Sequence, residues 1–290
     1  MKIYEFENKI VAENIENFNL TDIFECGQCF RFNYNKSGFY EGVAFGKYLR
    51  VEQTGGKIYF EASLEDFNNI WRGFFDLDRD YKYIFEKLRQ DKILKQASDF
   101  CPGIRILKQD PFECLISFII SQNNNIPRIK KIIERLCENF GDKIVGADLV
   151  SAQDEGKHKV CPYDIYKYAF PTAEKLAGLS LEDLAVIKSG FRAKYILDAA
   201  AKINSGEIDL ELVYKLNLED GAEYLKKIKG VGDKVSACVL LFAYNKLNAF
   251  PIDVWIKKII GKYYPDGYDF GEYAGIANSY LFYYERNNKL

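Results

Sequence analysis

Charge of one sign is missing from this chain: 40 Lys and Arg stand against 42 Asp and Glu, a formal net charge of −2. That balance argues against broad electrostatic capture of a polyanion. It leaves room for a local patch or a helix N-terminus that holds phosphates on an acidic protein. Long apolar runs are absent too. None approaches a membrane span, and the N-terminal MKIYEFENKI has no signal-like apolar core, so a soluble chain that stays inside the cell is expected. Histidine occurs once, at His158 in a polar stretch, and a second cysteine pair is lacking. Cys26 and Cys29 in ECGQCFRF have the spacing of a redox pair or half a zinc site. Yet Cys101, Cys114, Cys137, Cys161 and Cys238 are scattered singly, so nothing completes four ligands. Seven cysteines, an odd number, fit reduced thiols better than a disulfide framework. A thioredoxin-like pair follows a strand and opens a helix. Here FRFNYNKSGFYEGV follows and reads as strand and turn, so both thiols are expected to be packing groups in a strand.

The 48% of apolar residues suffices for a sizeable core, and 290 residues make one large domain or two ordinary ones. FYEGVAFG, KYLRVEQ and KIYFEA read as short strands, with TGGK (residues 54–57) as a hairpin turn. SLEDFNNIWRGFF and DRDYKYIFEKLRQD have helical spacing, each with an early Ser or Asp able to cap. After about Gln109 the strand signal nearly disappears. DPFECLISFIISQNNN starts on an Asp-Pro helix opening, with Phe112, Leu115, Phe118 and Ile119 on one face. IPRIKKIIERLCENF repeats the pattern through Ile129, Ile132, Ile133, Leu136 and Phe140. Residues 141–170 read as a long polar connection. SLEDLAVIKSGF and RAKYILDAAAKI read as helices broken at Ser189-Gly190, and DFGEYAGIANSYLFYYERN as a closing amphipathic helix. No period of 20 to 50 residues recurs. The expected fold is α+β: an N-terminal antiparallel β-sheet domain with helices over 1–109, then a mainly α-helical domain over 110–290.

LKKIKGVGDKVSACVLL carries the chemistry. One apolar stripe ends at Leu225 and Ile228, and another starts at Val235, Cys238 and Val239. Gly230 and Gly232 allow a tight turn around Val231. A helix N-terminus behind glycines exposes free N–H groups to an anion, so this helix-hairpin-helix pattern fits a DNA backbone without needing much side-chain charge. Lys234 sits in the first turn of the second helix, where the dipole opposes a positive charge. It is either a solvated phosphate contact or a nucleophile. Further on, in AFPIDVWI, Pro251 sets a turn and Asp253 is placed to cap a helix. A carboxylate there can also take a lysine proton or stabilise an oxocarbenium ion.

GVGDK followed by PID resembles the helix-hairpin-helix, Gly/Pro-rich loop and Asp superfamily of DNA glycosylases. ECGQCFRF, LKQDPFECLISFIISQNNNIPRI, FPTAEKLAGLSLEDLAVIKSGFRAKY and YAGIANSYLF narrow the likeness to its 8-oxoguanine DNA glycosylase branch, over residues 18 to 285. The resemblance implies a bifunctional glycosylase and AP lyase of base-excision repair. Lys234 would attack C1′ and form a Schiff base, and Asp253 would assist. It implies that the flipped base is read by the Gly27 carbonyl, whose acceptor meets the N7–H that 8-oxoguanine has and guanine lacks. Cys238 and Phe282 would lie on the two faces of the base, with Phe242 lining the pocket. Asn278 falls where the family commonly has a longer glutamine, and Trp255 where a histidine often contacts phosphate. Asn123 would fill the gap left by the base, Phe191 would act as a wedge, and Arg128 with Arg192 would read the orphaned cytosine. Gly230, Val231 and Gly232 would hold phosphate. The implied partner is double-stranded DNA containing 8-oxoguanine, bound by a monomer without a membrane. No cofactor, catalytic metal or iron–sulfur cluster is expected, since no cysteine lies beyond Cys238; a structural monovalent or divalent cation at the hairpin is. The other readings open at this point are a related glycosylase with another damaged base and a non-enzymatic helix-hairpin-helix module.

Overall fold

The computed structural model describes residues 1–144 and 168–288. Most of the polar connection expected over 141–170, with His158 and Cys161, therefore lies outside the described residues. Six strands, β1 (Lys2–Phe6), β2 (Lys9–Glu13), β3 (Phe32–Tyr34), β4 (Tyr40–Ala44), β5 (Lys47–Thr54) and β6 (Lys57–Phe60), form one antiparallel sheet in the order β1-β2-β6-β5-β4-β3. The TGGK turn closes β5 on β6, pairing Thr54 with Lys57 as expected. One face of the sheet is covered by α1 (Leu20–Glu25) and by the helical stretch α2 (Leu64–Asp66), a π-turn (Phe67–Trp71) and α3 (Arg72–Phe74). Phe24 stacks on Phe32 at 4.5 Å, and Phe67, Trp71, Phe74 and Phe75 complete this aromatic core.

The cysteine pair departs from expectation. Cys26 ends α1 and Cys29 lies in the loop before β3, so the order is helix, loop, strand. Both thiols are buried, and burial pushes Cys26 up to about 12 and Cys29 up to about 11. A thiol held protonated to such pH is a packing group rather than a ligand or a redox nucleophile.

The helical body contains α4 (Tyr81–Leu88), α5 (Lys92–Phe100), α6 (Pro111–Ser121), α7 (Ile126–Phe140), α8 (Ala173–Ala177), α9 (Ala193–Asn204), α10 (Leu210–Lys215), α11 (Leu218–Leu225), α12 (Asp233–Phe242), α13 (Val254–Tyr263) and α14 (Ala274–Asn287). Tyr81, Ile84, Leu88, Leu94 and Ala97 of α4 and α5 join this core rather than the sheet's. SLEDLAVI forms only a 3-10 turn, Asp183–Ile187, and a second 3-10 turn, Gly190–Arg192, leads into α9. The closing helix is not the two-sided amphipathic helix expected. Gly275 to Leu281 of α14 are all buried, because the helix lies between α5 and α13.

Residues 101–110 pass between sheet and helices without regular structure, and side chains satisfy their backbone groups. Arg105 donates to the carbonyls of Asn17, Asp76 and Glu16. Gln28 accepts from Leu107 N at 2.9 Å and donates to Arg105 O at 2.8 Å. Gln109 Nε2 donates to Gln28 O at 2.7 Å, while Gln109 N donates to Phe242 O at 2.8 Å. The loop after α1 is thereby tied to the helix that carries Lys234.

Candidate active site

The hairpin joins α11 to α12. Gly230 has φ +83°, and a Cβ there would lie 2.4 Å from Tyr195 Cγ, so both backbone and space demand glycine. Val231 is buried as the hairpin's anchor, and its N–H donates to Ile228 O at 3.1 Å. Gly232 is exposed and caps α12 without a side-chain bond. The first amides of α12 are left to whatever binds there.

Lys234, in the first turn of α12, is half-buried. Its Nζ donates to Ser121 Oγ at 3.1 Å and lies 5.0 Å from the centre of the Phe118 ring. Ser121 Oγ itself donates to Phe118 O at 2.8 Å. Phe118 in turn stacks on Phe242 at 5.4 Å, and Phe242 is part of the buried core. Cys238 is buried one turn beyond Lys234. Burial pushes its thiol up, against the pull of the Lys234 charge, with Asp253 adding to the rise, so the thiol is neutral and feels both groups. Ser121 and Phe118 were not among the site residues expected from the sequence. Their spacing of three positions on α6, facing the lysine's helix, was the signal available.

Asp253 does serve as a cap: Oδ1 accepts from Trp255 N at 2.9 Å and Ile256 N at 2.8 Å. Among the described residues no donor reaches Oδ2, so one carboxylate oxygen is held in place by the helix and the other is free for chemistry. Trp255 is half-buried, with Lys258 Nζ 5.4 Å from its ring.

Gly27 lies on the tied loop, with φ +86°. Its position faces Phe282 and Ile126, and among the described residues no donor reaches its carbonyl. Asn278 is buried and donates Nδ2 to Pro251 O at 2.8 Å. It thereby fastens α14 to the turn before Asp253, and its Oδ1 and second amide hydrogen remain for a ligand.

The three consecutive asparagines divide their work. Asn123 is exposed in the left-handed region at φ +46°. Asn124 donates to Ile120 O at the end of α6, and Asn125 caps α7 through Arg128 N. Arg128 is exposed. Arg192, 2% exposed, donates to that same turn, Nε to Gln122 O at 2.9 Å and Nη2 to Asn123 O at 2.9 Å, while Nη1 donates to Ser189 O at 3.1 Å in its own segment. Burial, then the Arg128 charge, pushes its pKa down. Phe191 is 50% exposed, under the Arg192 guanidinium at 4.4 Å. The end of α6 thus links two of these features: Ser121 holds Lys234, and the next residue, Gln122, accepts from Arg192.

Residues 10–115 match the model of the 8-oxoguanine DNA glycosylase N-terminal domain, and residues 116–267 match that of the HhH-GPD superfamily of base excision DNA repair proteins. The chain belongs to the 8-oxoguanine branch of the HhH-GPD superfamily. A solved 8-oxoguanine glycosylase/lyase from Clostridium acetobutylicum, in complex with double-stranded DNA containing cytosine opposite 8-oxoG, is 42% identical. That likeness covers 100% of this chain and 99% of the other, with a TM-score of 0.88. A probable N-glycosylase/DNA lyase of Methanothermobacter thermautotrophicus is 30% identical over 74% of each chain. The N-glycosylase/DNA lyase of Saccharomyces cerevisiae is 35% identical over 66% of this chain, which spans 50% of that longer protein. The α11–α12 hairpin, Pro251 and Asp253 all lie within the residues matched to the HhH-GPD model.

Proposed function

We propose that this protein is a bifunctional DNA glycosylase and AP lyase that flips out and excises 8-oxoguanine. The observation that carries the reading is the position of Lys234, a half-buried amine in the first turn of a glycine-capped helix, with its Nζ on Ser121 and Asp253 Oδ2 unpartnered. Lys234 Nζ, once deprotonated, forms a bond to C1′ as the bond from C1′ to N9 of the base breaks. The Asp253 carboxylate takes the ammonium proton and delivers it to the departing base, and so is ionised again to stabilise positive charge at the sugar. Ring opening gives an imine, and loss of a C2′ proton expels the 3′ phosphate and nicks the strand. The α12 amides and the hairpin around Val231 receive the DNA backbone. Gly27, Cys238 and Phe282 form the base site, with Asn278 Oδ1 at its edge. Asn123 and Phe191 fill the vacated stack.

Cytosine is the proposed opposite base, and the exposed Arg128 supports it. Arg192 shapes the turn that presents Arg128 and Asn123. A structural cation at the hairpin, resting on backbone carbonyls, is part of the proposal. A monomer acting inside the cell completes the proposal. Borohydride trapping on a duplex with one 8-oxoguanine tests it. A covalent adduct is expected with that duplex and not with its guanine twin. Equal trapping on both, or none, would overturn the reading.

A further inference from the structure

Arg286, on α14, holds a buried donor with no partner. Its Nη2 donates to Glu25 O at 3.0 Å, but Nη1 has no hydrogen-bond partner among the described residues. An unpaired buried guanidinium N–H is costly, and native proteins rarely leave one without a use. Its place suggests the use. Nη1 lies 3.7 Å from where a Cβ of Gly27 would stand, and the guanidinium carbon lies 5.8 Å from the centre of the Phe282 ring. That ring reaches within 3.1 Å of the same Gly27 position. Phe282 therefore lies beside both the Gly27 loop and Arg286, and a flat group seated against Gly27 would have this ring on one face.

Asn278, Phe282 and Arg286 are spaced four apart and share one face of α14. Asn278 is fastened beside Pro251, near Asp253 and so near the sugar end of the site. At about 1.5 Å per residue, Arg286 lies roughly 12 Å further along the helix, toward the end of a flipped purine far from its sugar. The edge of 8-oxoguanine that faces Gly27 presents three groups in order: O8 beside the sugar, then N7–H, then O6. The Gly27 carbonyl suits N7–H, and the donor beyond it suits O6.

We propose that Arg286 is a specificity-determining residue. In this assignment, which rests on the base-excision reading above, Nη1 donates to the 6-keto oxygen of the flipped base while Gly27 accepts from N7–H. The site then selects 6-keto over 6-amino 8-oxopurines, because a 6-amino group would face a second donor.

Equilibrium binding tests this without turnover, in the Lys234→Gln background. Duplexes carry 8-oxoguanine, 8-oxohypoxanthine, 8-oxoadenine or guanine at one position. 8-Oxohypoxanthine keeps O6 and N7–H but lacks the 2-amino group. 8-Oxoadenine keeps N7–H and O8 but has an amine at position 6. Adding Arg286→Met is expected to weaken binding about tenfold for 8-oxoguanine and 8-oxohypoxanthine alike, and to leave 8-oxoadenine unchanged. Arg286→Lys, which keeps the charge, retains part of the preference and serves if the Met variant does not fold. Equal loss on all three 8-oxopurines would make Arg286 a mere brace for the Gly27 loop, and no loss would leave its donor unused. Either result overturns the proposal while leaving base excision standing. Failure of the Lys234→Gln protein to prefer 8-oxoguanine over guanine would overturn both.

Discussion

Gly27 concentrates the reading of the base in a backbone group. At φ +86°, alanine would be strained by about 1–2 kcal/mol, and its methyl would press on Phe282 Cε1. Gly27→Ala is expected to melt slightly lower and to excise 8-oxoguanine at least tenfold more slowly, yet still to cleave a preformed abasic site, which has no base to read. Parallel loss of both activities would reduce Gly27 to a structural role. At the opposite strand, Arg128→Ala is expected to cost about 1–3 kcal/mol of discrimination between cytosine and other partners. Single-turnover excision opposite all four bases measures it, and an unchanged ratio would contradict the assignment. The sequence pointed to Gly27, Lys234 and Asp253 because each stands in a motif. It could not show that Asn278 would be spent on Pro251, since a side-chain bond to a carbonyl 27 positions away leaves no local pattern.

Elements position these residues, and the hairpin is the sharpest case. Its glycines look equivalent in GVGDK but are not. A Cβ on Gly230 collides with Tyr195, whereas none would meet an atom within 4 Å of Gly232, and only Gly230 has positive φ. Gly230→Ala is expected to destabilise the protein and abolish DNA binding. Gly232→Ala should fold normally, with any loss confined to DNA affinity. Thermal melting and duplex binding of both variants check this, and equal destabilisation would refute it. Strands β4, β5 and β6, the Asp-capped α6 and the apolar stripe of α7 were legible in the chain. The nature of α14 was not, because contacts on opposite sides of a helix between α5 and α13 erase the stripe that periodicity needs. Nor does helical spacing separate an α-helix from the 3-10 turn at Asp183–Ile187.

The whole molecule is held at the junction between sheet and helices. There Arg31 meets Glu113 at 3.3 Å, both buried, and Arg31 Nη2 donates to Tyr168 O at 2.5 Å. Burial pushes the Glu113 carboxyl up from 4.5 to about 7, with Arg31 opposing the rise. Between those values the folded protein keeps a proton that the unfolded chain has lost. Stability therefore falls as pH rises through that window and levels off above it. Glu113→Gln, which keeps an acceptor for Arg31, should remove that slope. Urea midpoints from pH 5 to 8 test it, and identical slopes would contradict it. Composition indicated an α+β chain with a helical second half. It could not show that α4 and α5 pack with the helices, nor that Gln28 and Gln109 tie the base-reading loop to α12, because both are long-range contacts.

The central claim is that one amine, on Lys234, does the chemistry. Reduction of the enzyme–DNA intermediate with borohydride, followed by proteolysis and mass spectrometry of the adduct, tests it most directly. A deoxyribose remnant on Lys234, absent in Lys234→Gln, is the result expected. A remnant on any other residue, or an adduct that survives Lys234→Gln, would contradict it.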